Sequence, residues 1–189
     1  ERGSAIRIKG ISAFSPRAET GGPLIKDRLF LQQALQYRYR TNDVPSRPQD
    51  ELKRSHRLSS FTRVDANLSP RHSLLGAVGL FPARATQANL GTFTPPDAAV
   101  DMKGNVSTAG ITERALWSEN LFTETTIEAH RYTTDVMPRG PAAMELLPET
   151  TLGNFFNRQH RETSTLQLIE SASGSAHGPG GLHLYKAGV

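Results

Sequence analysis

Six histidines are the side chains in this sequence best suited to metal binding or proton transfer. They are His56, His72, His130, His160, His177 and His183. No two are separated by two or four residues, the spacings that place neighbouring ligands on one side of a strand or a helix. Because the chain has no cysteine, a zinc site would have to use imidazoles and carboxylates brought together from different segments. We therefore predict no metal site, no disulfide and no thiol chemistry.

Catalytic and phosphate-binding motifs are also missing from the sequence. It contains no GxSxG, HExxH or CxxC pattern and no glycine-rich loop that ends in GK[ST]. The stretch GSAHGPGG at 174–181 is similar to a phosphate cradle, but no helical pattern follows it, so we interpret it as a hairpin turn. We expect no catalytic residue, no cofactor and no enzymatic activity.

Composition alone describes an ordinary polar chain of a single domain's length. Charged residues make up 21% of the 189 residues, and the mean hydropathy is −0.44. No run approaches the roughly 18 consecutive apolar residues of a membrane-spanning helix. The net charge is +4, but Lys and Arg are scattered and aromatic residues are few, so we predict no nucleic-acid partner.

The clearest structural pattern begins after a tight polar turn at 26–28. From Leu29 to Arg40 the residues alternate with period two, and leucines and tyrosines occupy one parity while glutamines and arginines occupy most of the other. This alternation is longer than a globular strand needs. It suits a strand that crosses a bilayer at a tilt, with Tyr37 and Tyr39 at an aromatic girdle. Alternation alone, without the wider sequence, favours the alternative, which is an edge hairpin of a soluble sandwich.

Similar alternation elsewhere predicts about eight strands. They cover residues 6–18, 29–40, 56–68, 74–82, 106–118, 121–134, 163–172 and 182–189. Short turns near 26–28, 69–72, 118–121 and 174–181 alternate with long connections at 41–55, 83–105 and 135–162. We therefore predict an all-β fold: a partial antiparallel transmembrane β-barrel with short periplasmic turns and long extracellular loops.

Polar residues of one parity form three patches that would face the inside of such a barrel. They are Gln32, Gln36, Arg38 and Arg40; Arg57, Arg63 and Asp65; and Glu124, Glu128 and His130. Each patch is either a contact surface for another part of the protein or a solvated inner wall. Phe61 does not follow the alternation, and the parity that faces lipid is open for 106–118 and 182–189.

The connection at 144–161 (MELLPETTLGNFFNRQHR) holds the densest apolar cluster outside the predicted strands. Phe155 and Phe156 are the candidate ligand-binding residues, since aromatic side chains offer large contact areas. The same side chains could instead pack against neighbouring loops.

Four stretches carry a resemblance to a known family. They are GGPLIKDRLF at 21–30; FTRVD at 61–65 with LSPRH at 68–72; TERALW at 112–117; and GGLHLYKAGV at 180–189. In this order they resemble the early-to-middle barrel of TonB-dependent outer-membrane receptors, in particular the Oar-like group that carries a carboxypeptidase-regulatory domain. The resemblance covers nearly the whole chain.

This resemblance implies a location and a set of partners. Residues 1–189 would be a fragment of one barrel domain in the outer membrane of a Gram-negative bacterium, without the plug domain and the remaining strands. The partners would be outer-membrane lipid, the plug of the same parent chain, the TonB energy-coupling complex and a small-molecule solute. Siderophores, cobalamin, saccharides and peptides are the solute classes of such receptors. A passive porin-like channel and a soluble β-rich carbohydrate-binding or ligand-binding module are the alternatives.

Overall fold

A computed structural model describes residues 11–140 and 142–189, and all regular structure in this part of the chain is β-strand. Nine strands form one sheet and two form a separate small sheet. The nine are β1 (Ala13–Phe14), β2 (Arg17–Ile25), β3 (Leu29–Asp43), β4 (Leu52–Ser69), β5 (His72–Thr86), β6 (Val100–Ser118), β7 (Leu121–Pro138), β10 (Gln159–Gly178) and β11 (Gly181–Gly188). The small sheet pairs β8 (Glu145–Leu146) with β9 (Thr151–Leu152). The predicted all-β antiparallel class is confirmed.

From β2 onward the large sheet is a meander in which each strand pairs antiparallel with its neighbour in sequence, apart from the small β8–β9 insertion. Both β1 and β2 pair with β3 at one edge, and β11 lies at the other edge. Among the described residues no pairing joins these two edges, so the sheet is open. No helix in the described part of the chain is long and apolar enough to span a membrane.

The first predicted strand is placed wrongly. Ile6, Ile8 and Gly10 lie outside the described residues, and the prediction that the strand ends before Gly21 is wrong because β2 continues to Ile25. Pro23 pairs with Phe30, and the register shifts between Pro23 and Ile25. An edge strand tolerates proline here, because no neighbouring strand on its open side needs the N–H that proline lacks.

The other strands occur where they were predicted, and all of them except β11 are longer than predicted. The connections shrink to residues 44–51, 87–99 and 139–158, and the turns to 26–28, 70–71, 119–120 and 179–180. The long connections still alternate with the short turns. Because the strands form an antiparallel meander, all long connections lie at one end of the sheet, the loop end, and all short turns lie at the other, the turn end.

The large sheet is a single layer without a conventional core. Within the described ranges, strands contact only the strands with which they form hydrogen bonds. The buried hydrophobic residues of this part of the chain are Leu90, Ala98, Ala99, Val100 and Ala115. The accessible surface is 13486 Å², whereas a compact globular protein of this mass would expose about 8,900 Å². No second layer covers either face among the described residues.

The two faces of the sheet differ in chemistry. The strand register aligns one row across six strands: Leu31, Val64, Gly76, Ile111, Ile127 and Leu168. We call the face that carries this row the apolar face. Most of its hydrophobic side chains are exposed; Leu168, for example, keeps 66% of its surface. The row therefore presents apolar side chains to the surroundings, whereas a two-layer fold would bury them.

The opposite side is the charged face, and it carries all three predicted polar patches. In β6 the residues Ile111 and Ala115 lie on the apolar face with Glu113, which assigns the parity that the sequence left open for 106–118. Phe61 lies on the charged face because both of its cross-strand neighbours, Ala34 and Gly79, are small.

The space around Gly79 on the charged face is too small for a larger side chain. A Cβ atom at this position would lie 2.7 Å from the Phe81 ring and 2.7 Å from the Thr108 hydroxyl. We expect Gly79→Ala to lower the free energy of unfolding by about 1–3 kcal/mol, as overpacking does. Gly76→Ala on the same strand is the matched control, because nothing lies within 4 Å of its Cβ position. Denaturant unfolding of the chain in detergent micelles measures both, and equal effects would contradict the close packing around Gly79.

Candidate functional site

Most charges on the charged face neutralise one another. Arg63 donates two hydrogen bonds of 2.8 Å to the carboxylate of Asp65, two residues along β4. Arg114 donates to Glu124 across the strand pair at 2.6 Å. The third patch contains an internal pair of its own, His130 with Glu128 at 3.4 Å. These pairs are typical of a solvated inner wall.

Arg38 and Arg57 are not neutralised in this way. The register places them directly opposite each other on β3 and β4, and both are exposed. Within the described part of the chain neither forms an ion pair, and neither does nearby Arg40. Like charges directly opposite each other destabilise a strand pair. The sheet therefore holds a concentrated positive charge at this point.

These arginines line a groove of about 720 Å³ towards the loop end. Its other walls include Phe81, Met102 and Tyr132, which lie on the charged face of the next strands. None of the described residues that line the groove is Asp or Glu. The site is thus a basic groove with apolar walls, and we call it the basic groove.

Sequence reasoning listed Arg38 and Arg57 in different patches and did not bring them together. The pairing depends on the register between β3 and β4, which local alternation does not specify. One sequence signal for this site was available: neither Arg38 nor Arg57 has an acidic residue two positions away on its own strand. Gln32, from the same predicted patch as Arg38, instead donates to Glu19 on the edge strand at 3.1 Å.

The three long connections join into a cap at the loop end of the sheet. The Ser46 and Thr92 hydroxyls lie 2.8 Å apart, which links residues 44–51 to residues 87–99. The Thr151 amide donates to the Phe93 carbonyl at 2.8 Å, which links the second connection to the third. Buried Leu90, Ala98 and Ala99 form the small apolar centre of the second connection. We call this assembly of residues 44–51, 87–99 and 139–158 the loop cap.

Asn154 and Gly153 give the third connection its shape. Asn154 is buried, accepts from the Arg139 amide at 2.8 Å and donates to the Gly140 carbonyl. Gly153 has a φ of 71°, and a Cβ there would lie 1.8 Å from the Ala143 carbonyl oxygen. Only glycine fits this position, since it combines a left-handed conformation with a backbone contact.

The loop cap carries the candidate ligand-binding residues Phe155 and Phe156. Their ring centroids lie 4.7 Å apart with planes inclined by 42°. Phe156 is 71% exposed, whereas Phe155 is half-buried. Phe93 and Leu146 of the same cap are also exposed. Ligand binding by Phe155 and Phe156 therefore stays a prediction, with one ring half-buried and the other exposed.

Aromatic residues flank the apolar row on the same face, some nearer the turn end of the strands and some nearer the loop end. At the turn end, the Trp117 ring packs edge-on against His72 with centroids 5.4 Å apart, and its indole N–H donates to Thr123 at 2.9 Å. At the loop end, the Tyr37 hydroxyl lies 2.6 Å from His56 Nδ1, and the Tyr39 ring lies 5.0 Å from the same imidazole. Aromatic residues with a polar partner are typical of the boundary between an apolar phase and water.

Beyond the apolar row, a charged cluster joins the loop ends of β7 and β10. His160 Nδ1 lies 2.7 Å from the carboxylate of Asp135, which is directly opposite in the register. Arg131 pairs with Glu162 at 2.8 Å. The hydrogen bond to Asp135, followed by the charge of that carboxylate, raises the pKa of the His160 imidazole above its ordinary value.

This pKa shift predicts a pH dependence at the loop end. A raised folded-state pKa means that His160 stabilises the β7–β10 ladder fully below its unfolded pKa of about 6.5. That contribution is lost as the pH rises through the higher pKa of the folded state. We expect amide exchange at residues 159–162 to show a falling opening free energy over this window. His160→Gln should abolish the slope, and a slope of the opposite sign or an unchanged slope in the variant would contradict the assignment.

Comparisons with protein families, curated proteins and solved structures find no match to this chain.

Proposed function

We propose that this chain is part of the transmembrane β-barrel of a TonB-dependent receptor, which takes up a scarce solute across the outer membrane of a Gram-negative bacterium. The observation that carries the proposal is the single-layer sheet with chemically unlike faces. An apolar row crosses six strands on one face, and the three polar patches lie on the other. The family resemblance of the four sequence stretches supports the same conclusion.

The apolar face would contact lipid. A transmembrane barrel alternates apolar side chains outside with polar side chains inside, and aromatic residues flank its apolar band. The row from Leu31 to Leu168 and the aromatic groups around Trp117 and Tyr37 match that pattern. Polar residues interrupt the face, among them Ser107 and the charged Glu113, Arg131 and Glu170, and outer-membrane strands carry a much weaker apolar signal than membrane helices.

The charged face would line the barrel lumen, next to a plug domain of the same parent chain. The loop cap would lie outside the cell and make the first contact with solute, with Phe156 exposed for that purpose. The short turns would lie in the periplasm. Energy from the TonB complex would then move the plug, so transport needs no catalytic residue in these strands.

Open edges support the idea that the described strands belong to a larger barrel. Residues 159–170 of β10 pair with β7 on one side, but β11 pairs only with residues 171–178. Apart from the Glu170–Val189 bonds, the described residues offer this stretch no partner on its outer side. Long unpaired edges are rare in finished folds because they promote aggregation, and closure by further strands removes them.

The soluble binding module fits these observations less well. A soluble sandwich buries apolar rows between two layers, and no second layer lies over Ile111 or Ile127 in the described part of the chain. A passive porin-like channel would have the same two faces. Plug-encoding sequence upstream in the parent gene would distinguish a receptor from such a channel.

Two adjacent residues of β10 test the proposed lipid contact. Leu168 lies on the apolar face and Gln167 on the charged face. In phosphocholine vesicles, Leu168→Arg should cost about 2–4 kcal/mol of folding free energy, the penalty for arginine on the lipid side of a barrel. Gln167→Arg introduces the same side chain one position away and should change the folding free energy by less than about 0.5 kcal/mol.

Urea titrations of the vesicle-inserted chain measure both values. Equal penalties for the two variants would contradict the assignment of faces. A monodisperse monomer that unfolds cooperatively without lipid or detergent would favour the soluble module and refute the membrane proposal.

A further inference from the structure

We propose that the basic groove binds a small organic anion with an apolar body, and that Arg38 and Arg57 together hold its charged group. That such an anion is the solute taken up by the receptor rests on the proposed function. Binding of the anion at this site is independent of that function, because it follows from the contacts on one face of the sheet.

The positive charges of Arg38 and Arg57 have no carboxylate partner in the part of the chain that the structure describes. On the same face, Arg63 and Arg114 each have a carboxylate partner within 2.8 Å. Arg38 and Arg57 face each other with no carboxylate among the described residues that line the groove, and Arg40, Arg84 and Lys103 also line it. An opposed pair of arginines without a carboxylate partner is complementary to an anion from outside these strands.

The opposed positions of Arg38 and Arg57 allow both side chains to reach one ligand group. Directly opposed residues on neighbouring strands have Cβ atoms about 4.5–5.5 Å apart, so two flexible arginine side chains can converge on one group. A guanidinium presents a planar fork of donors that matches carboxylate and phosphate oxygens. Arg38 and Arg57 are both exposed and therefore accessible to a ligand from the open side of the groove.

The apolar wall of the basic groove favours a ligand with an apolar body. Phe81, Met102, Val106 and Tyr132 line the same groove. A bare inorganic anion would leave this surface in contact with water, whereas an aromatic or aliphatic body would cover it. The volume of about 720 Å³ lies within the usual range for small-molecule sites, about 300–1,000 Å³. The shape and chemistry together favour an amphipathic carboxylate or sulfonate.

Binding of 2-naphthoate to the full chain, folded in detergent micelles, tests this site by equilibrium dialysis against empty micelles. Arg38→Gln and Arg57→Gln should each weaken binding roughly tenfold or more, since each removes a hydrogen bond to a charged group. Arg63→Gln is the matched control on the same strand and face, and it should change affinity less than about twofold. The neutral analogue 2-naphthalenemethanol should bind much more weakly than 2-naphthoate.

A second measurement follows from the opposition of the two arginines and does not require a binding signal. Without ligand, Arg57→Gln removes a like-charge contact, so its unfolding midpoint should exceed that of the wild-type chain. Saturating 2-naphthoate should reverse this order, because only the wild-type chain keeps the complete site. A destabilised Arg57→Gln chain in the absence of ligand would contradict the charge argument.

Several results would overturn the inference. One is that the wild-type chain does not bind 2-naphthoate, or binds it and its neutral analogue equally. Another is that Arg63→Gln loses as much affinity as Arg38→Gln and Arg57→Gln. Preferential binding of a triglutamate peptide would assign the groove to an acidic polypeptide instead. Loss of anion binding with normal vesicle insertion would refute only this inference. Retained anion binding by a chain that is a monodisperse, cooperatively unfolding monomer without lipid or detergent would refute only the proposed function.

Discussion

Antiparallel hydrogen bonding between neighbouring strands holds this molecule together, because almost no packed interior exists to do so. The ladders run nearly the full length of β3 to β7 and β10, while the few buried hydrophobic residues lie mainly in one connection. A sheet stabilised in this way exposes both faces to its surroundings. The nature of those surroundings then determines which side chains each face can carry.

The unlike faces and the unequal ends follow from that constraint. Side chains in the middle of the apolar face, such as Ile111 and Ile127, need an apolar phase, whereas paired charges such as Arg114 and Glu124 need water or a polar partner. At the loop end, the connections pack on one another and build the only compact region that the structure describes. The basic groove lies between these zones, where apolar walls meet unpaired arginines.

Alternation in the sequence predicted the strands best where the two faces differ most. Leu29 to Arg40 alternates clearly, and β3 covers that range. Alternation fades towards the loop ends, for example at Ala83–Thr86 in β5, where both faces are polar or small and backbone hydrogen bonds alone maintain the strand. Pro23 and its neighbouring glycines were taken to end a strand, but an edge position tolerates them.

The candidate sites depended on information that local patterns do not contain. The apolar character and exposure of the segment around Phe156 could be predicted from composition, and the three polar patches could be predicted from parity. The opposition of Arg38 and Arg57 requires the register between two strands, and the link from Thr151 to Phe93 requires contacts between distant connections. Long-range register and loop packing therefore limit sequence-based prediction of this site.

Cysteine labelling along β10 tests the central claim most directly, because the native sequence has no cysteine. Single cysteines at Thr165, Leu166, Gln167 and Leu168 would each report one position when the chain is inserted in lipid vesicles and treated with a water-soluble maleimide. Rapid labelling at 165 and 167 with protection at 166 and 168 is the predicted result, since lipid covers one face and water the other. Equal labelling at all four positions would contradict a lipid-facing apolar row.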